Sequence, residues 1–167
     1  HNDACEEASA LMVARFWQNK PITGPADVEA ELQEIKAFEE KTFGFSQDTN
    51  AAQTAKILTD FYQLTNVEVR YDFTLEDLKR EVLAGRPVII PVAGRELHNP
   101  FYKQPGPTYH MLVIKGVTAD GKFITNDPGT KRGADFVYGQ TALYNAINDG
   151  DGTPHGLSGR KAMIVVR

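Results

Sequence analysis

Three side chains in this chain have the types and spacing for nucleophilic chemistry on a carbonyl. Cys5, the single cysteine among 167 residues, falls in the stretch NDACEEASALM, which is patterned as a helix. Far downstream His110 heads the apolar run HMLVIKGV, and Asp127 follows in the turn NDPGT. A thiol attacks only as thiolate, and its ordinary pKa of about 8.5 falls at a helix N-terminus or beside an imidazolium. With Asp3 as N-cap, Cys5 is the second helical residue and the exposed first-turn amides point toward it. Glu6 and Glu7 oppose a second anion, so they are expected to point outward. Each residue also has a structural role open to it: Cys5 as a small buried apolar group, His110 as a core histidine, Asp127 as a turn former. His1, His98 and His155, in terminal or polar loop sequence, are weaker candidates for the base.

The elements that must position these groups are legible from periodicity and punctuation. A first helix over about Ala4 to Trp17 aligns Cys5, Ala8, Met12 and Phe16 on one face, with Asp3 and Glu6 forming a capping box. A second begins at Pro25 after Gly24, turns Val28, Leu32, Ile35 and Phe38 inward, and ends at Gly44. Asn50 and Gln53 box the third, whose stripe is Ala51, Ala55, Leu58 and Tyr62. Val67 to Tyr71 reads as a strand, Thr74 caps a helix ending at Gly85, and Pro87 to Val92 reads as the next strand. His110 to Val117 and Lys122 to Asn126 flank Asp120-Gly121, a strong hairpin signal that places Asp127 within a few residues of His110 laterally. Gln140 to Ile147 closes as a helix and Ala162 to Val166 as a strand. Helices gathered before a mostly antiparallel sheet predict an α+β class with a cleft between the halves. The stretch Gly94 to His110, with three prolines and two glycines, is long for a connection and is expected to work as a functional loop. Its aromatics Phe101, Tyr102 and Tyr109 are expected to wall the cleft.

Composition sets limits on function. The chain carries 18 basic and 22 acidic residues, a formal charge of −4 with no block of like charge, which disfavours nucleic acid and anionic membranes as partners. No apolar run is long enough to span a bilayer. The length suits one domain, residues 1–167, and a start at His1 without an initiator Met predicts a piece cut from a longer chain. The compartment stays open, with export or surface attachment expected if a removed leader carried a signal or anchor.

CEEASALM, GRPVIIPVAG, YHMLVIKG and NDPGT resemble the bacterial peptidase C39-like domain, a branch of the papain-like cysteine peptidases, over nearly the whole chain. That resemblance implies a papain-like fold, an N-terminal helical layer packed on a mostly antiparallel sheet, and hydrolysis of peptide or amide bonds through a thioacyl-enzyme. It assigns Cys5 as nucleophile, His110 as base and Asp127 as the acid that closes the triad. It implies a peptide or protein substrate, no cofactor and no metal, with further domains in the parent chain. Two departures stand out. Glu6 follows the cysteine where the family commonly has glycine, and the upstream oxyanion-hole glutamine has no counterpart within residues 1–167. The donors left are the Cys5 backbone N–H and the Asn2 side chain, so weak turnover is expected, improved by residues upstream.

The geometry expected is an approach of Sγ to an imidazole nitrogen within about 4 Å. Three alternatives remain beside the peptidase: an acyl transferase of the same chemistry, a peptide-binding module of the same fold without turnover, and a metal site formed by Cys5, His110 and Asp127.

Overall fold

The structure, a computed structural model, describes residues 4–167. Its helices are α1 (Cys5–Trp17), α2 (Pro25–Phe43), α3 (Ala51–Lys56), α4 (Leu75–Leu83) and α5 (Gln140–Ala146). The strands are β1 (Val67–Tyr71), β2 (Val88–Ala93), β3 (Tyr109–Val117), β4 (Phe123–Asn126), β5 (Ala134–Tyr138) and β6 (Ala162–Val166). They form a 6-stranded antiparallel sheet in the order β1-β6-β2-β3-β4-β5, so the class is α+β as expected.

Local signals act where the sequence puts them. The Asn50–Gln53 and Thr74–Asp77 capping boxes are both closed, which satisfies amides the first helical turn would leave orphaned. Gly44 ends α2 at φ 85°, a left-handed conformation that costs glycine little. The third helix runs on through a wider π-type turn, Ile57–Phe61, which extends its stripe to the buried Leu58 and Tyr62. Strand β5 and the short 3-10 helix Gly94–Leu97 escape the sequence reading; β5 is an edge strand with little burial and hence no apolar alternation.

Alternate residues of the central strands feed two cores. Ile89, Met111, Val113 and Ile164 pack with α1, α2 and α3; Val88, Ile90, Leu112, Ile114 and Val165 pack with α4 and α5. Helices therefore cover both faces, and β2, β3 and β6 read as continuous apolar runs because neither face meets water.

Helix α1 departs from its expected orientation. Glu6, Glu7, Ser9, Ala10, Leu11, Val13 and Ala14 are buried, while the face shared by Cys5, Ala8, Met12 and Phe16 is only half-buried and Phe16 is 57% exposed near the far end. Ala4 occupies the cap position without a side-chain cap bond. The proposed cap Asp3 lies outside the described residues, and Cys5 is the first helical residue.

Candidate active site

The histidine side of the site is built by the β3–β4 hairpin. Val113 pairs with Asn126, so Asp127 leaves the end of β4 opposite the start of β3. His110 Nε2 and Asp127 Oδ1 are 2.7 Å apart, with both side chains buried. A carboxylate can only accept, so Nε2 carries the hydrogen and Nδ1 is left as the basic nitrogen. The second oxygen, Oδ2, accepts from Tyr138 Oη at 2.5 Å, Tyr102 Oη at 2.7 Å and Asn99 Nδ2 at 3.3 Å. Asn99 also donates to Tyr138 Oη at 2.7 Å. Burial, then the charge of Asp127, pushes both phenols far above their usual range and keeps them donors. The chain closes around Asp127 so tightly that a side chain at Gly133 would collide with the Asp127 carbonyl.

The thiol side is helical and acidic. Cys5 is partly exposed, and its thiol donates to Glu6 Oε2 at 3.2 Å. Burial pushes the thiol well above its ordinary pKa; Glu6 adds to the rise through its charge and the hydrogen bond, and the Met111 backbone N–H opposes it. Met111 is the residue after His110, so the sulfur reaches the start of β3. Glu6 and Glu7, expected to point outward, are both buried, at 2% and 1% exposure. The reason is the enclosure of α1: between α2, α3 and the sheet it has no outward face at these positions. Glu6 is pushed up to about 8 by burial and by Glu7, so it is largely neutral at pH 7. Glu39 on α2, facing Glu7 and Glu6 across the helix pair, is raised for the same reasons and hydrogen-bonds with Thr49.

Cys5 and His110 line one cavity of about 640 Å³, together with Glu6, Tyr102, Tyr109 and Arg95. Alternation along β3 places His110 with Leu112 and Ile114, on the α4–α5 side, where Tyr102 meets its ring edge-on at 5.4 Å. Cys5 approaches from the α1–α3 side. The two faces communicate at the margin where β3 runs on past the end of β4.

Of the aromatics assigned to the cleft, Tyr102 and Tyr109 line it, and Tyr109 Oη is bonded to the Thr49 carbonyl at 2.9 Å. Phe101 is not among the lining residues; it stacks edge-on against Phe136 with Arg132 over its ring. Asn2, the suggested oxyanion donor, lies outside the described residues. Asn99 and Tyr138 escaped the sequence reading, because a loop asparagine and a tyrosine ending an unrecognised strand carry no local signal for a distant carboxylate. Among the described residues no group of three or more His, Cys, Asp or Glu is arranged to hold a metal ion, and no helix is long and apolar enough to cross a membrane.

Comparison with known proteins places this geometry in context. No curated protein matches the chain. Its fold is similar to that of a Bacillus anthracis protein assigned as a C39-like peptidase, at a TM-score of 0.62 and 15% identity, over 99% of this chain and 90% of that one. It is also similar to the peptidase domain of Streptococcus ComA, a bifunctional ABC transporter involved in quorum sensing, at a TM-score of 0.55 and 12% identity, over 99% and 98% of the two chains. At such identities the likeness is one of fold. The family model described as the Peptidase_C39 like family matches residues 1–147, most of the chain and all three candidate residues, and the chain therefore belongs to that family.

Proposed function

We propose that the protein is a cysteine peptidase that hydrolyses peptide or amide bonds through Cys5, His110 and Asp127. The observation that carries this reading is the buried His110–Asp127 pair, which opens on the same cavity as Cys5. His110 Nδ1 takes the thiol proton, and the thiolate attacks the substrate carbonyl carbon. An S–C bond forms as the carbonyl π pair moves to oxygen, where the backbone N–H of Cys5 at the open helix start is one donor to the developing charge. The imidazolium returns its proton to the leaving amine, and the C–N bond breaks to leave a thioester. Water, deprotonated by Nδ1, then releases the acid and restores the thiol. Asp127 holds the Nε2–H tautomer and stabilises the imidazolium. The reaction requires Sγ and Nδ1 to come within about 4 Å in the reactive complex.

The raised thiol pKa is the observation that favours a second reading, a peptide-binding module of the same fold without turnover. A thiol-directed acyl probe separates them. Labelling of Cys5 in the folded protein but not after denaturation supports the peptidase. Equal labelling in both states removes the activated thiol. Product analysis with added amines distinguishes hydrolysis from acyl transfer.

A further inference from the structure

The loop that walls the cavity is fastened to Asp127. Asn99 and Tyr102 sit on one turn of it, closed by the Tyr102 N–H on the Asn99 carbonyl at 3.2 Å and by the Phe101 N–H on Asn99 Oδ1 at 2.9 Å. The second of these bonds fixes which way the Asn99 amide points. Oδ1 is taken up by Phe101, so Nδ2 is turned to Tyr138 Oη and Asp127 Oδ2. Tyr138 Oη accepts from Asn99, and its own hydrogen is therefore the one given to Oδ2. Tyr102 is buried, and its Oη has the same oxygen as acceptor at 2.7 Å. Oδ2 thus holds three donors, which leaves Oδ1 for His110 Nε2.

Tyr102 differs from the other two donors in what else it touches. Its ring meets the His110 ring nearly at right angles, at 5.4 Å and 77°, and the same residue lines the cavity, where Asn99 and Tyr138 do not. The ends of the loop are packed as closely. A side chain at Gly94 would collide with Pro107 and press on His110 Cβ, and Arg95 Nε donates to the Gly106 carbonyl at 3.1 Å. An imidazole held by one hydrogen bond can still swing about it, and a ring packed against it takes that motion away.

We propose that Tyr102 is a positioning residue for His110, acting through Asp127: its hydroxyl holds the carboxylate with Oδ1 toward Nε2–H, and its ring holds the plane of the imidazole. The inference rests on the peptidase reading above and deepens it at the same site. Tyr102 touches no reacting atom in this role. It keeps the hydrogen on Nε2 and the lone pair on Nδ1, the nitrogen that must take the thiol proton. Because the hydroxyl on Asp127 and the ring on the cavity wall belong to one side chain, a shift of the loop is also a shift of the base.

The test compares the full chain with Tyr102→Phe, Tyr138→Phe, Tyr144→Phe and His110→Ala. Three readouts are taken: turnover of the member of a peptide nitroanilide library that the parent cleaves fastest, nitrogen NMR of isotopically labelled histidine rings at alkaline pH, and thermal unfolding. Tyr144 controls for the fold alone, since its hydroxyl bonds the Phe73 carbonyl at 2.6 Å and it does not line the cavity. Tyr102→Phe keeps the ring and loses the hydroxyl; kcat is expected to fall about tenfold with KM within about twofold, as for the loss of one hydrogen bond to a charged group. The His110 signals, identified by their absence in His110→Ala, should pass from a single Nε2–H tautomer to a mixture. Tyr138→Phe takes a donor from the same oxygen and should move the same signals, which keeps the test valid if Tyr102→Phe misfolds. Tyr144→Phe should lose stability while keeping the parent's kcat and signals. An unchanged single tautomer in Tyr102→Phe overturns the proposal, and so does a rise in KM at constant kcat, which would make Tyr102 a substrate contact only. Equal changes in Tyr144→Phe overturn it as well, by showing a general loosening of the fold. No turnover in the parent, or turnover retained in His110→Ala, sinks the peptidase reading instead, and the tautomer comparison then still decides whether Tyr102 positions the ring.

Discussion

The two walls of the cavity are finished to different degrees. On the sheet side, Asp127 spends one oxygen on His110 and the other on three donors, Tyr138, Tyr102 and Asn99, so its charge is fully met. On the helix side, the buried carboxyl of Glu6 keeps an oxygen without a hydrogen-bond partner among the described residues, and Glu6 and Glu39 are both pushed up by burial and then by Glu7. The difference teaches that burial alone does not set the state of an acid. Donors meet both oxygens of Asp127 in the core, whereas burial and acidic neighbours push Glu6 and Glu39 up toward the protonated form.

The largest expected effect strikes the sheet side. His110→Ala removes the proposed base and should lower peptide turnover by about a thousandfold or more, measured as kcat/KM under conditions where the parent is active. Activity retained within tenfold would mean that the base lies elsewhere.

Asp127→Asn comes next and tests whether charge or mere shape matters there. An amide that turns its oxygen to the three donors presents NH₂ to Nε2. That forces the hydrogen onto Nδ1 and disables the base. Turnover should fall by about a hundredfold, Cys5 alkylation at neutral pH should slow, and the fold should lose about 1–3 kcal/mol because charge-assisted bonds are replaced by neutral ones. A simple turn former would lose stability with an unshifted alkylation profile.

The helix side should show itself in the pH dependence of stability. Burial and Glu7 push Glu6 up to about 8 from the ordinary glutamate value of 4.5, and Glu39 is raised in the same direction. The folded state therefore binds more protons than the unfolded chain between those values. Stability is fully present below about pH 4.5 and is lost as the pH rises through the folded pKa, at up to about 1.4 kcal/mol per pH unit for each proton that differs. Urea midpoints should fall from pH 5 to 9, and Glu6→Gln or Glu39→Gln should flatten the slope. A midpoint that rises over this range would show that both carboxyls are ionised in the folded protein.

The smallest effect is expected just outside the cavity. Phe101→Ala should leave KM for peptides within about twofold and cost about 1 kcal/mol of stability, the worth of its edge-on contact with Phe136. A large rise in KM would return Phe101 to the substrate-binding wall.

Much of the fold was written locally. The Asn50 and Thr74 boxes, Pro25 and Gly44 at the ends of α2, and the Asp120-Gly121 turn specify their elements through bonds that span three or four residues, so the chain reveals them without a fold. The hairpin also brought Asp127 near His110, although a β-bulge between Ile114 and Gly116, which the turn does not specify, shifts the register there by one residue. Tertiary structure decided the rest. The orientation of Glu6 and Glu7 depended on what encloses α1, and helical periodicity cannot show that a helix is surrounded on all sides. The donors on Asp127 come from Asn99, Tyr102 and Tyr138, separated by up to 39 residues along the chain, and no local pattern joins them. The order of the types Cys, His and Asp was set by sequence alone. Their charge states follow from burial and from neighbours supplied by distant segments, because a pKa responds to everything packed around the group and to nothing in its position along the chain.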